Sequence, residues 1–313
     1  MNKTLTKLAG ALALCIGFAG SALAAGTIDI TTVNDKKQPI KLEVPYMPER
    51  IAALNYTTVD ILDQLGLGDR IVGMVKSSAV PAHLQKYADD PKIVNLGTMK
   101  ELDLEALMSL QPDMIFSSDR TVRQYKTFSM IAPTVASYVE YQSGFFEGFK
   151  ANLIRHGEIF GKQAEVAEVI KQYSDRIAAM RAQADDKTAM LGLFTGGSLH
   201  VLGDKGRMSL ITHDIGFNNQ AVGVDVNHGN TSSYELFVQK NPDYLFILDK
   251  DVAVGRNAKS ATMLMNNELI MQTDAHKNGR VVFLQPGDTW YLTDGGIEAL
   301  DMMLDNVEAA MKL

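Results

Sequence analysis

From Phe146 to Ala184 the chain contains no proline, and this stretch organises the rest. Val166, Ile170, Tyr173, Ile177 and Met180 recur at alternating steps of four and three, which places them on one face of a helix. Lys162, Glu165, Glu168, Lys171, Asp175 and Arg181 fall mostly on the other faces. Gly157 and Gly161 weaken the first half. The spacing therefore predicts a helix to about Phe160, a break, and a long helix to Ala184. At about 1.5 Å per residue the second helix spans roughly 30 Å, the width of a small domain.

Similar segments flank it. Leu104 to Phe116 and Tyr234 to Leu248 each carry a glutamate seven residues before a Pro-Asp pair, Glu105 before Pro112-Asp113 and Glu235 before Pro242-Asp243. A short helical run lies between, and an apolar strand follows. Proline ends the helix and aspartate starts the turn into a buried strand. Two matching units imply two α/β lobes of similar build joined by one long helix, an α/β fold. The expected boundaries are 25–160, 161–186 and 187–313.

Residues 1–24 read as a signal segment outside the fold. Lys3 and Lys7 form a basic start, Leu8 to Phe18 an apolar run, and Ala22-Leu23-Ala24 a small-x-small cleavage site. The run is shorter than the roughly 20 residues of a membrane anchor. Leu14 before Cys15 and the apolar Ile16-Gly17-Phe18 after it disfavour a lipoprotein. Cleavage would remove the single cysteine and both lysines, taking the formal charge from −7 to −9. An exported chain without disulfides is held by core burial alone, and 46% apolar residues suffice for two domains. The expected location is a periplasm. No lysine- or arginine-rich block occurs, so nucleic acid is not an expected partner.

Elsewhere Thr27–Thr32 and Ile40–Val44 read as a hairpin around Asn34-Asp35-Lys36-Lys37. Arg50–Leu54, Ile71–Val75, Ile93–Asn95, Met114–Phe116 and Thr134–Ala136 read as strands, with helical runs at Thr57–Leu65, Leu104–Leu110 and Val122–Met130. In the second lobe Thr188–Thr195 and Ser198–Leu202 form a hairpin, and Tyr244–Leu248 and Val281–Leu284 are strands. Helical runs fall at Arg207–Ile211, Tyr234–Gln239 and Thr262–Met271, and Ile297–Met311 closes the chain. Strand–helix alternation with short connections argues a parallel sheet in each lobe.

No G-x-S-x-G, H-E-x-x-H or Walker A motif is present, so enzymatic activity is not expected. The six histidines show no pairing at helical spacing, which leaves a dedicated zinc site unsupported. What remains is a set of Arg, His and Tyr side chains in glycine-flanked or polar loops: Arg120, Arg207, His228, Arg256 and Trp290-Tyr291. Open α/β sheets bind ligands beyond the carboxyl ends of their strands, where several of these loops fall. Taken singly, a loop arginine is usually a solvated charge, a loop histidine a turn residue, and Tyr291 could be core with Trp290 facing out.

The mature chain resembles the periplasmic binding proteins of ferric-siderophore and cobalamin ABC importers. Pro48 to Leu54 resembles that family's opening strand, and the two Glu…Pro-Asp units resemble its repeated element. Gly206-Arg207, His228-Gly229 and Trp290-Tyr291 are similar to the ferric-catecholate binders of the CeuE/VctP type, with Arg120 and Arg256 fitting by position. The resemblance implies two Rossmann-like α/β lobes joined by a helix with the ligand in the cleft between them, a ferric siderophore as transported ligand, no intrinsic cofactor, and action as a monomer. Arg120, Arg207 and Arg256 would read the anionic catecholate, with Trp290 beside them. His228 and Tyr291 would complete the coordination of ferric iron left open by a bis-catecholate. Glu105 and Glu235 would dock onto the importer's permease, though each also suits a helix N-terminus as a plain dipole partner. Haem, cobalamin and hydroxamate siderophores are the competing ligands on such a scaffold.

Overall fold

The computed structural model describes residues 26–76, 79–221, 234–256 and 260–312. The expected signal segment 1–24 and His228 lie outside the described residues. Strands β1 (Thr27–Val33) and β2 (Pro39–Pro45) form the expected hairpin, with Ile30 opposite Leu42. Asn34 builds its turn, its Oδ1 accepting from the N–H groups of Lys36 and Gln38. The hairpin is tied to the first lobe where Thr32 Oγ1 accepts from the Ala136 N–H at 3.0 Å.

The first lobe holds β3 (Ile51–Ala53), β4 (Ile71–Met74), β5 (Val94–Asn95), β6 (Met114–Ser117) and β7 (Thr134–Ala136) in the order β5-β4-β3-β6-β7. All pairings are parallel. Helices cover such a sheet on both faces, which is why β3 and β6 are wholly buried and, Ser117 apart, apolar. The second lobe holds β8 (Thr188–Thr195), β9 (Ser198–Leu202), β10 (Asn218–Asn219), β11 (Tyr244–Asp249) and β12 (Val281–Phe283). Its parallel order is β10-β8-β11-β12, with β9 antiparallel to β8 as a hairpin partner.

The repeated units match in three dimensions. The helix Leu104–Leu110 ends in a left-handed Gln111, and the helix Tyr234–Lys240 is followed by a left-handed Asn241. The following aspartates then secure the first strand of each lobe. Asp113 Oδ2 accepts from the N–H groups of Glu49 and Arg50, both at 2.9 Å. Asp243 Oδ2 accepts from the N–H and Oγ1 of Thr188 at 2.9 and 2.7 Å.

Between the sheets run the helices Phe145–Phe160 and Gln163–Ala184. The break falls at Gly161, whose φ of +65° lets its N–H reach back to the Gly157 carbonyl. Val166, Tyr173, Ile177 and Met180 are buried as the spacing requires. The closing helix Ile297–Met311 lies against this linking helix and also against the helix Tyr56–Gln64 of the first lobe.

Three local expectations change. The helical turn expected at Arg207–Ile211 forms instead at Leu210–Asp214, widened so that the Ile215 N–H reaches the Leu210 carbonyl. The run Thr262–Met271 divides into Ser260–Met265 and Ile270–Gln272. Asn267 Oδ1 accepts from the N–H groups of Leu269 and Ile270 and so competes with the helix. Trp290 and Tyr291 lie on a short helix, Gly287–Leu292, rather than a loop. No helix among the described residues is long and apolar enough to cross a membrane.

Candidate functional site

Two adjoining cavities lie between the lobes and share Met99, Arg120, Tyr291 and Leu292 in their walls. The smaller, about 130 Å³, reaches Asn55, Ser118, Tyr138, Tyr141, Arg207 and Asp294. The larger, about 480 Å³, is lined by Lys100, Arg120, Lys250 and Arg256 among others, with no carboxylate in its described lining. Tyr291 stands where the two meet.

Three cations surround the Tyr291 ring. The Arg207 guanidinium lies 4.4 Å from its centroid, Arg120 5.4 Å and Lys250 Nζ 5.9 Å. Each such contact contributes roughly 0.5–2 kcal/mol, depending on how dry it is. Arg207 is held by more than the ring. Its Nη1 donates to the Tyr291 carbonyl at 2.6 Å and the Trp290 carbonyl at 3.3 Å, with Asp294 Oδ2 at 4.0 Å. Burial works against its charge, but Asp294, Tyr141, Tyr291 and Asp119 outweigh burial and raise its pKa.

Asp294 links the lobes, because Tyr141 of the first lobe donates to its Oδ2. Burial raises the Asp294 pKa, and Arg207 pulls it back. Burial and the Asp294 charge together hold the Tyr141 phenol well above its ordinary value. Tyr138, further along the same wall, is pushed up to about 12 by burial and by Glu140 and Asp119.

Lys250 reaches the ring because β11 ends in Asp249, a buried aspartate that accepts from the N–H groups of Asp251 and Val252 and starts a short helix. Asp251 in turn holds Arg256 at 3.0 Å. Arg256 remains largely exposed at the outer wall, and Arg120 stands on an exposed turn beyond β6.

Of the residues singled out in the sequence, Arg120, Arg207 and Tyr291 come together, and Arg256 lines the same larger cavity. Trp290 does not join them and is corrected here. Its side chain is fully buried, its Nε1 donates to Asn306 Oδ1 at 3.2 Å, and only its carbonyl meets the site, through Arg207. On the short helix consecutive side chains point about 100° apart, so Tyr291 takes the cleft and Trp290 the core. Lys250, Tyr141 and Asp294 were missed. The one available signal was the place of Lys250 directly after a strand that is apolar up to its last residue, Asp249. Glu105 and Glu235 are both exposed in the first turns of their helices. Among the described residues no three His, Cys, Asp or Glu side chains cluster as a metal site. His156 is structural: buried, stacked on Phe116 at 4.8 Å, and with its pKa lowered to about 4 by burial.

Residues 51–287 match the family model described as periplasmic binding protein. The chain belongs to the periplasmic binding protein family. This is a family of binding proteins rather than enzymes. The chain is 32% identical over 286 residues to the petrobactin-binding protein YclQ of Bacillus subtilis, covering 90% of this chain and 88% of that one. The crystal structure of YclQ superposes with a TM-score of 0.84 at 30% identity, over 91% of this chain and 99% of that one. The ferric-anguibactin-binding protein FatB of Vibrio anguillarum is 32% identical over 268 residues, 83% of this chain and 81% of FatB. The periplasmic catecholate-siderophore binding protein VctP of Vibrio cholerae superposes with a TM-score of 0.82 at 26% identity, covering 90% of this chain and 100% of VctP.

Proposed function

We propose that this binding protein captures a ferric catecholate siderophore in the periplasm and delivers it to an ABC importer for iron uptake. The observation that carries the reading is the Tyr291 ring set among Arg207, Arg120 and Lys250, in the wall of a cavity whose described lining has cations and no carboxylate. A ferric tris-catecholate is triply anionic, and arginine presents forked donors to catecholate oxygens without losing its charge. The names of the relatives support a ligand of this kind: YclQ is named for petrobactin, FatB for ferric anguibactin and VctP for a catecholate siderophore.

For a bis-catecholate, which leaves two positions on ferric iron open, Tyr291 and His228 supply the missing donors. Residues 25–160 and 187–313 act as the lobes and 161–186 as the strut between them. Residues 1–24 act as the cleaved signal. Glu105 and Glu235, at equivalent places in the two repeated units, meet basic pockets of the permease. The test is titration of the purified mature chain, with protein fluorescence as readout, against ferric catecholates, ferric hydroxamates, haem and cobalamin. Saturable, tightest binding of a ferric catecholate is expected. Tighter binding of any of the other three would overturn the reading.

A further inference from the structure

The segment that carries Tyr291 is tied to the opposite lobe from behind. Asp60, on the helix Tyr56–Gln64, is fully buried. Its Oδ1 accepts from the Glu298 N–H and its Oδ2 from the Ala299 N–H, both at 3.0 Å. These are amides of the first turn of the closing helix, whose N-cap, Gly296, offers no side-chain cap. A carboxylate far away in sequence therefore does the work of an N-cap, complementing the positive end of a four-turn helix. His83 Nε2 lies 3.0 Å from the same Oδ2.

Two glycines permit the approach. A Cβ on Gly296 would stand 2.3 Å from Asp60 Cγ, and one on Gly295 would stand 2.9 Å from Thr57 and Val139 side-chain carbons. The neighbouring turns are fastened too. Tyr173 Oη donates to the Ile297 carbonyl at 2.9 Å, and Tyr141 donates to Asp294. Between the Asp60 contact and the Tyr291 ring the backbone has little slack. The Gly296 N–H donates to the Thr293 carbonyl at 2.7 Å, and the Thr293 N–H to the Thr289 carbonyl at 3.4 Å.

We propose that Asp60 is a positioning residue for the cleft. By capping the closing helix from the other lobe, it sets where the 289–296 turn lies and so where the Tyr291 ring stands among its three cations. Asp60 is not among the residues lining either cavity, so it acts through Tyr291 rather than on a ligand. This deepens the proposed function and rests on Tyr291 being a ligand contact.

The experiment uses the whole mature chain labelled with 3-fluorotyrosine. In ligand-free protein the ¹⁹F resonance of Tyr291, identified by its loss in Tyr291→Phe, should shift or broaden in Asp60→Asn. The resonance of Tyr244, in the core of the second lobe, should stay in place. Gly296→Ala, which forces the same contact apart, should move the Tyr291 resonance likewise and serves if Asp60→Asn does not fold. Asp60→Asn should also weaken a ferric bis-catecholate by about tenfold, and by less than about twofold when Tyr291 is already phenylalanine. An unmoved Tyr291 resonance in the folded variant would overturn the inference. Equal losses of affinity with and without Tyr291 would overturn it as well. If the wild-type chain bound no ferric catecholate, the proposed function would fail, while the ligand-free resonance would still decide the role of Asp60.

Discussion

In each lobe an aspartate after a proline fastens the first strand, Asp113 onto Glu49 and Arg50 and Asp243 onto Thr188. Each follows a helix that ends in a left-handed polar residue, and each precedes a wholly buried parallel strand. The cleft faces of the same lobes have diverged. The second lobe contributes Arg207, Lys250, Arg256 and Tyr291, with Arg207 and Arg256 already bonded to their own lobe. The first contributes Arg120 and Lys100 to the larger cavity, and Asp119, Glu140 and Tyr141 to the smaller. Backbone geometry repeats because a helix-to-strand turn has few solutions, whereas the cleft is free to vary. The second lobe presents a pre-set cationic wall, and the first supplies the more exposed partner.

The cores beneath the two sheets differ as well, and pH should separate them most. In the first lobe Phe116 of β6 stacks on His156, whose pKa burial lowers to about 4. In the second, Phe246 of β11 meets Phe217 and Tyr244, with no imidazole in that cluster. Between pH 6.5 and 4 the unfolded chain binds a proton that folded His156 refuses. Its contribution is thus fully present above pH 6.5 and declines as pH falls, by about 3 kcal/mol in all. Asp214 and Asp294, whose pKa values burial raises, act in the opposite sense and favour the folded state as pH falls. Hydrogen exchange at pH 7 and pH 4.5 should show the first lobe losing protection and the second keeping it. In His156→Phe this difference between lobes should disappear. Equal loss in both lobes of the wild type would break the contrast.

The fastening aspartates should behave alike. Asp113→Ala and Asp243→Ala each remove a charged acceptor of two hydrogen bonds and should each cost about 1.5–3 kcal/mol. Urea unfolding would measure this. A loss confined to one variant would mean that the units match in sequence and not in how they hold their lobes.

Much of this architecture was legible. The helix break appeared as Gly157 and Gly161, and the two lobes as a repeated Glu…Pro-Asp pattern, because both are local backbone requirements. Arg120, Arg207 and Tyr291 stood out as unusual residues beside turns, and the fold brings them together. What escaped depends on long-range placement. Lys250 looks like an ordinary lysine between two aspartates, until Asp249 turns the chain at the end of β11 and aims it at the ring. Trp290 and Tyr291 could not be assigned to core and cleft by polarity, since both are amphipathic; the register of a six-residue helix decides it. The Tyr141–Asp294 and Asp60–Ala299 contacts join residues 153 and 239 positions apart, and no spacing rule reaches that far.

If the cationic wall around Tyr291 reads the charge of its ligand, the clearest sign of it is the behaviour of Lys250. It lies on that wall, 5.9 Å from the ring, at the start of a short helix. Lys250→Gln removes the charge and leaves a polar side chain one atom shorter. The measurement is the affinity of wild type and variant for a triply anionic ferric tris-catecholate and for a singly anionic ferric bis-catecholate, at low and at physiological salt. A loss of about tenfold, about 1.4 kcal/mol, is expected for the triply anionic chelate at low salt, and a clearly smaller loss for the singly anionic one. The loss for the triply anionic chelate should shrink as salt is added. Equal losses for the two chelates, or a loss indifferent to salt, would contradict it.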